Sequence, residues 1–209
     1  MKRLLSFLTV LLLLIPTAVD ASSTRVNNIG ITCQIDQNGT ATFVEKWDMD
    51  VSEGTEGYKI FNGMNDQPLT LIGVTDDRGV TYKNIGTWDS DVSRESKINK
   101  CGLIKDGGHY ELCFGLGDYG TRSYTMVYQI EHFVNQYKDQ QGINYAFISD
   151  MSLDVADVTI HVTGITPYSK ENAKIWAFGY SGSVNFDNGG VILKTDSLGS
   201  NCLLYTSPS

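Results

Sequence analysis

Polar and apolar residues alternate along three stretches of this chain, at residues 40–51, 123–134 and 157–163. In the first of them every second residue from Ala41 to Val51 is apolar, except for Glu45. An alternation with a period of two predicts β-strands that bury one face and leave the other in water, as antiparallel sheets do.

Turn-forming residues separate these strands from further short ones. The sequence Asp36-Gln37-Asn38-Gly39 predicts a hairpin, and similar turns occur at 76–79 and 187–190. Further strands are predicted at residues 58–61, 69–75, 80–83, 98–104, 110–115, 143–148, 174–178, 182–186 and 191–194. Strands this short and this regularly spaced predict an all-β fold, an antiparallel β-sandwich.

Two domain organisations are open. Residues 22–150 can form a complete β-sandwich domain, followed from about residue 151 to 201 by the start of a second, truncated β unit. Alternatively, residues 151–201 continue a single sandwich of about 180 residues, a length that one β domain can reach.

The first 21 residues have the pattern of a signal peptide. Lys2 and Arg3 precede an apolar run that ends at Ile15, and Val19 and Ala21 occupy the −3 and −1 positions of a cleavage site. The run is shorter than the roughly 20 apolar residues of a membrane-spanning helix. We therefore expect an exported protein that is cleaved after Ala21.

The charge of the exported part argues against a nucleic-acid partner. Cleavage removes two bases and one acid, which leaves 14 Lys and Arg against 23 Asp and Glu, a net charge of −9. A negative surface repels the phosphate backbone and releases no counterions from it.

The last eight residues, 202–209, have a different origin from the rest. They match the translation of a transposase adapter used to build sequencing libraries, so we interpret them as read-through and leave them out of the fold prediction. We expect the natural chain to continue beyond Asn201.

Two cysteines flank a predicted hairpin turn at residues 105–109. If the loop has three residues, 106–108, Cys101 and Cys113 lie directly opposite each other, and an exported protein can form a disulfide there. A slip of one residue separates the two sulfur atoms. A disulfide and a pair of free thiols therefore both remain open.

Few residues are candidates for a binding or catalytic site. Trp88 lies in the polar stretch 86–91 and is the best candidate for a surface that stacks against sugars. Glu45 is a candidate catalytic carboxylate, although a buried carboxylate is more often paired with a basic residue. We predict no catalytic constellation, no metal site and no cofactor.

Residues 31–47, 122–130 and 157–162 resemble the domain of unknown function 2207 family of predicted bacterial membrane proteins. The resemblance covers most of residues 24–201. It implies a signal peptide and an outward-facing β-rich domain, attached to the membrane by a helix that this chain lacks and followed by a cytoplasmic tail. It implies no activity and no catalytic residues.

Together these features predict an extracytoplasmic β-sandwich domain of a membrane-anchored bacterial protein, facing outward from the cell membrane. We expect a non-enzymatic role in interaction or envelope assembly, with an unknown protein or an envelope glycan as the partner. The alternatives are a carbohydrate-binding module that uses Trp88 and a hydrolase of envelope polymers that uses Glu45.

Overall fold

The computed structural model describes residues 24–195, except 65, 150, 152, 154, 179 and 180, together with the backbone of residues 204–206. The predicted signal peptide, residues 1–21, and most of residues 202–209 lie outside this part. The described chain is an all-β structure with one short helix, α1, at Arg94–Lys97. Its strands are β1 Arg25–Ile35, β2 Ala41–Val51, β3 Glu56–Phe61, β4 Leu69–Asp76, β5 Lys83–Thr87, β6 Lys100–Asp106, β7 His109–Gly115, β8 Gly120–Ile130, β9 Asn135–Gln136, β10 Gln141–Gly142, β11 Tyr145–Ile148, β12 Val155–Thr163, β13 Ala177–Phe178, β14 Gly182–Asp187, β15 Gly190–Thr195 and β16 Leu204–Thr206.

A seven-stranded sheet with the order β14-β15-β12-β1-β2-β8-β4 forms one layer. Its strands pair antiparallel, except that β1 and β12 run parallel. The predicted hairpin between β1 and β2 is confirmed. The Asp36 carboxylate accepts hydrogen bonds from the N–H groups of Asn38 and Thr40, and Gly39 adopts a φ of 77° that favours glycine.

A four-stranded sheet with the order β3-β7-β6-β5 forms the second layer. Aromatic side chains join the two layers. Phe114 of β7 lies with its ring 4.7 Å from that of Tyr124 on β8, and Phe61 of β3 lies 5.3 Å from Tyr128. Such close ring pairs add to the burial of apolar area that holds two sheets together. The prediction of an all-β sandwich is therefore confirmed.

The segment after residue 150 contributes to the same large sheet. Strand β12 lies beside β1, with Val26 opposite Val155, and β15 and β14 follow it outward. This is the arrangement expected of one continuous sandwich, and the boundary near residue 150 stays a prediction. No helix within the described residues is long and apolar enough to span a membrane.

The turn after β4 depends on a carboxylate. Asp76 accepts hydrogen bonds from the backbone N–H groups of Arg78 and Val80, and its Oδ2 lies 2.7 Å from the Arg78 guanidinium and 3.2 Å from that of Arg122. Burial raises the pKa of this carboxyl, but the hydrogen bonds and the Arg78 charge outweigh it, and the pKa lies below its usual value.

We expect Asp76 to make the protein less stable in acid. Because its pKa is lower in the folded than in the unfolded state, its stabilisation is complete above the unfolded pKa of about 4 and is lost as the pH falls through the folded pKa. Urea unfolding between about pH 6 and pH 2 measures this loss. Asp76→Asn should lose less stability on acidification than the parent, whereas Asp139→Asn, at an exposed carboxyl, should follow the parent. Equal acid dependence of the parent and Asp76→Asn would contradict the prediction.

Candidate functional site

An ion pair lies in the core between the two layers. Glu45 of β2 has no exposed surface, and Lys59 of β3 is 5% exposed. The Lys59 Nζ lies 3.1 Å from each carboxylate oxygen of Glu45. Glu45, the polar residue among the apolar positions of β2, therefore places a negative charge in the core. Lys59 from the opposite sheet neutralises this charge.

The remaining hydrogen-bonding capacity of this pair is also used. The Trp47 indole N–H donates to Glu45 Oε1 and the Tyr128 hydroxyl to Oε2, both at 2.7 Å. The Lys59 ammonium donates to the carbonyl oxygen of Phe147 at 2.7 Å. Burial and the nearby Glu45 charge raise the pKa of Tyr128 well above its usual value, so its hydroxyl stays a donor.

The contacts of Glu45 indicate a structural role for this residue. A general acid or a nucleophile must come within hydrogen-bond reach of the substrate, but each oxygen of Glu45 already faces the ammonium and one further donor. Glu131, a carboxylate that follows the end of β8, is exposed, whereas Glu45 is buried in the core. The geometry gives no support to hydrolysis by Glu45.

Trp88 is buried, so the prediction that it forms an exposed stacking surface is wrong. Its side chain is 4% exposed, and its indole N–H donates to Glu56 Oε2 at 2.7 Å. The same carboxylate oxygen lies 2.9 Å from the Nζ of Lys97, which also donates to the carbonyl oxygen of Ser90. The other residues of the stretch 86–91 are exposed, and the Trp88 side chain alone turns inward, where Glu56 satisfies its indole N–H away from water.

The hairpin that carries Cys101 and Cys113 has a two-residue loop, Gly107-Gly108, rather than the predicted three. Asp106 pairs with His109, so Cys101 lies opposite Phe114, and Cys113 lies opposite Gly102. A shift of one position turns the two side chains toward opposite faces of the sheet. Both thiols are free in the structure, and the disulfide that the longer loop would allow is not formed.

We expect the thiols of Cys33, Cys101 and Cys113 to resist alkylation in the folded protein. Burial raises the pKa of Cys101 to about 11 and that of Cys113 to about 12, and it raises the pKa of Cys33 further. The reactive thiolate is therefore scarce near neutral pH. Peptide mapping after iodoacetamide treatment should find all three thiols unmodified in buffer and modified in denaturant. Failure to modify Cys101 and Cys113 in non-reducing denaturant would instead indicate a disulfide.

A cleft opens at one end of the sandwich, where three loops meet. These are the β1–β2 turn, the residues around β9 and β10, and the segment that follows β12. The cleft has a volume of about 630 Å³, within the range of small-molecule sites. Its lining comprises Ile35, Asp36, Gln37, Asn38, Gly39, Val134, Gln136, Asp139, Gln140, Gln141, Gly142, Ile143, Gly164, Ile165, Thr166, Tyr168, Asn172 and Ala173.

Amide side chains hold one wall of this cleft in place. Gln136 donates from Nε2 to the carbonyl oxygens of Tyr137 and Gln140, at 2.8 and 3.2 Å, and its Oε1 accepts from Gln141 at 2.9 Å. On the opposite side, the Asn172 Oδ1 accepts the N–H of Ser169 at 2.8 Å. Sequence reasoning missed this site because its walls come from distant segments. The clustered amides at residues 135–141 were the available signal.

Comparison with known proteins gives the family. The model of the N-terminal domain of the predicted membrane protein family DUF2207 matches residues 25–206. The chain belongs to the DUF2207 family. The resemblance noted from the strand patterns is thereby confirmed, and no curated protein matches the chain.

Two solved structures share the fold with this DUF2207 domain. A predicted protease from Parabacteroides distasonis is 11% identical, with a TM-score of 0.51 over 90% of this chain and 40% of that chain. Leukotriene A4 hydrolase from Saccharomyces cerevisiae is 8% identical, with a TM-score of 0.52 over 89% of this chain and 29% of that chain. The chain thus spans less than half the length of either protein. At such identities the likeness shows the fold alone.

The described residues of the DUF2207 domain contain no group of three or more His, Cys, Asp or Glu side chains placed to hold a metal ion. The cleft where the three loops meet, called the loop-end cleft below, is lined by several amide side chains.

Proposed function

We propose that this DUF2207 domain faces outward from the membrane of a bacterial cell and works by binding an envelope component in the loop-end cleft. The signal-peptide pattern of residues 1–21 supports export, and the family description supports a link to a membrane. Loops at the end of a rigid sandwich are a common place for binding residues, because the sheets fix the loop ends.

The contrast between the cleft and the buried ion pair carries this proposal. In the cleft the side chains of Gln37, Asn38 and Gln140 are exposed and make no hydrogen bond to another described residue. In the core Glu45 and Lys59 are enclosed and fully paired. The three amide side chains in the cleft are therefore available to bind a ligand. The Glu45–Lys59 pair, the candidate catalytic group, instead stabilises the fold.

Orientation can be tested with a single new thiol. Lys138 is exposed beside the cleft, and the thiols at 33, 101 and 113 are buried. In intact cells that express the full-length protein, with Cys202 and any further cysteine replaced by serine, Lys138→Cys should react with a membrane-impermeant maleimide, while the protein that keeps Lys138 should not. Labelling that occurs only after lysis would place the domain on the cytoplasmic side and overturn the proposed orientation.

The cleft can be tested as the binding site by filling it. Gln140→Trp places a large side chain in the lining, while Gln34→Trp makes the same change at an exposed glutamine outside it. When purified protein is sedimented with isolated cell envelopes, the bound fraction should fall about fivefold or more for Gln140→Trp and stay unchanged for Gln34→Trp. Equal binding by both variants would rule out the cleft.

A further inference from the structure

The charges around the cleft exclude one large class of ligand. Asp36 and Asp139 line it, and no Lys, Arg or His is among the described lining residues. The Asp36 carboxylate is already bonded to the N–H groups of the β1–β2 turn, at 2.8 and 3.0 Å. The lining presents two carboxylates and no cation to an anionic ligand, and Lys138 lies beside the cleft rather than in its lining, so phosphate-rich polymers and acidic sugars are disfavoured.

The free polar groups suit a ligand made of hydroxyl groups. Gln37, Asn38 and Gln140 each present an acceptor oxygen and a donor NH₂ group, and Thr166 adds an exposed hydroxyl. A sugar hydroxyl is also both donor and acceptor, so a neighbouring amide can either accept a hydrogen bond from it or donate one to it. The bonds made by Gln136 hold the 136–141 wall before a ligand arrives, which lowers the entropic cost of binding.

The exposed lining of the cleft is more polar than apolar. Ile165 is 68% exposed at the rim, and Tyr168 is half-buried with its backbone N–H bonded to the carbonyl oxygen of Gly189. These two side chains offer a surface for the C–H face of a sugar ring. An extended peptide would add to a strand edge, and the strands in the cleft wall, β9 and β10, have only two residues each, too few to pair with it along its length.

From these observations, and resting on the proposed binding role of the cleft, we infer that its ligand is a short, neutral oligosaccharide. Its hydroxyl groups bond to the amides of Gln37, Asn38 and Gln140, and its ring lies against Tyr168. Trp88, the residue that the sequence suggested for sugar binding, does not line this cleft. The inferred sugar site consists instead of amide side chains on loops.

The test is a titration of the full chain with four probes. These are chitotriose and cellotriose as neutral sugars, trigalacturonate as an anionic sugar, and a trialanine peptide, each followed by calorimetry and by NMR shifts of the Gln37 and Gln140 side-chain amides. We expect a neutral sugar to bind and to shift these amides. The double variant Gln37→Ala/Gln140→Ala should weaken its binding about tenfold or more, because two hydrogen bonds are lost. Gln34→Ala, the matched control, should change it less than about twofold.

Each other outcome overturns the inference in a distinct way. Tighter binding of trigalacturonate would reject the argument from charge, and binding of the peptide alone would reject the sugar. If no probe binds at millimolar concentration but Gln140→Trp still abolishes sedimentation with envelopes, the cleft binds something else and only the sugar assignment fails. If envelope binding is also insensitive to Gln140→Trp, the proposed function fails with it.

Discussion

Replacing Glu45 by alanine should destabilise the protein by about 3–5 kcal/mol. The substitution leaves the Lys59 ammonium in the core with only the Phe147 carbonyl oxygen as a strong acceptor, and it deprives the Trp47 and Tyr128 donors of theirs. A buried charge without its counter-charge costs far more than the pair itself contributes. Chemical unfolding of the parent and of Glu45→Ala, followed by circular dichroism, measures the difference.

The control removes both charges at once. Glu45→Leu/Lys59→Met keeps the side-chain volume and leaves no unpaired ion, so it should lose much less stability than the sum of the losses from Glu45→Leu alone and Lys59→Met alone. The same double variant keeps the test informative if a single variant does not fold. Additive losses from the two single substitutions would show that the charges are not coupled, contrary to the 3.1 Å contact.

Replacing Gly115 by alanine should cost about 3 kcal/mol or more, because the change forces the backbone apart. A Cβ atom built on Gly115 would lie 2.0 Å from the carbonyl oxygen of Lys97, where the end of α1 passes over β7. This neighbour is backbone and has no rotamer to change. Thermal unfolding of the variant, compared with the parent, gives the loss.

Gly30 provides a matched control in another strand. A Cβ there would meet nothing within 4 Å, and the residue does not need a positive φ. Gly30→Ala should therefore leave stability unchanged or raise it by about 0.5–1 kcal/mol, since alanine restricts the unfolded chain. Similar losses at positions 30 and 115 would mean that the close approach of α1 to β7 is not what constrains Gly115.

The one-sided strands were predictable from the sequence because their chemistry is local. Alternation fixed the buried face of β2, and the exception at Glu45 correctly marked a carboxylate paired with a base. The short turns at residues 36–39 and 187–190 also determined hairpins, as the pairing of Asp187 with Gly190 confirms. In each case a few neighbouring residues decide the outcome.

The predictions that were wrong or missing concern residues whose contacts lie far away in the sequence. The polarity around Trp88 does not reveal that Glu56 accepts its N–H from another strand. The register at Cys101 and Cys113 depends on one residue of loop length, a difference that the sequence Asp-Gly-Gly-His leaves undecided. The cleft needs three loops to meet, and only the completed sheet order brings them together.

The parallel pairing of β1 with β12 also bears on how the protein is made. The β1–β2 hairpin can close as soon as both strands have left the ribosome, but β1 meets β12 only after more than a hundred further residues. At about 5–20 residues per second, one edge of β1 stays open for roughly ten seconds. An open edge is a template for pairing with other chains. We therefore expect that a chaperone, or transport in an unfolded state, protects this edge until β12 arrives.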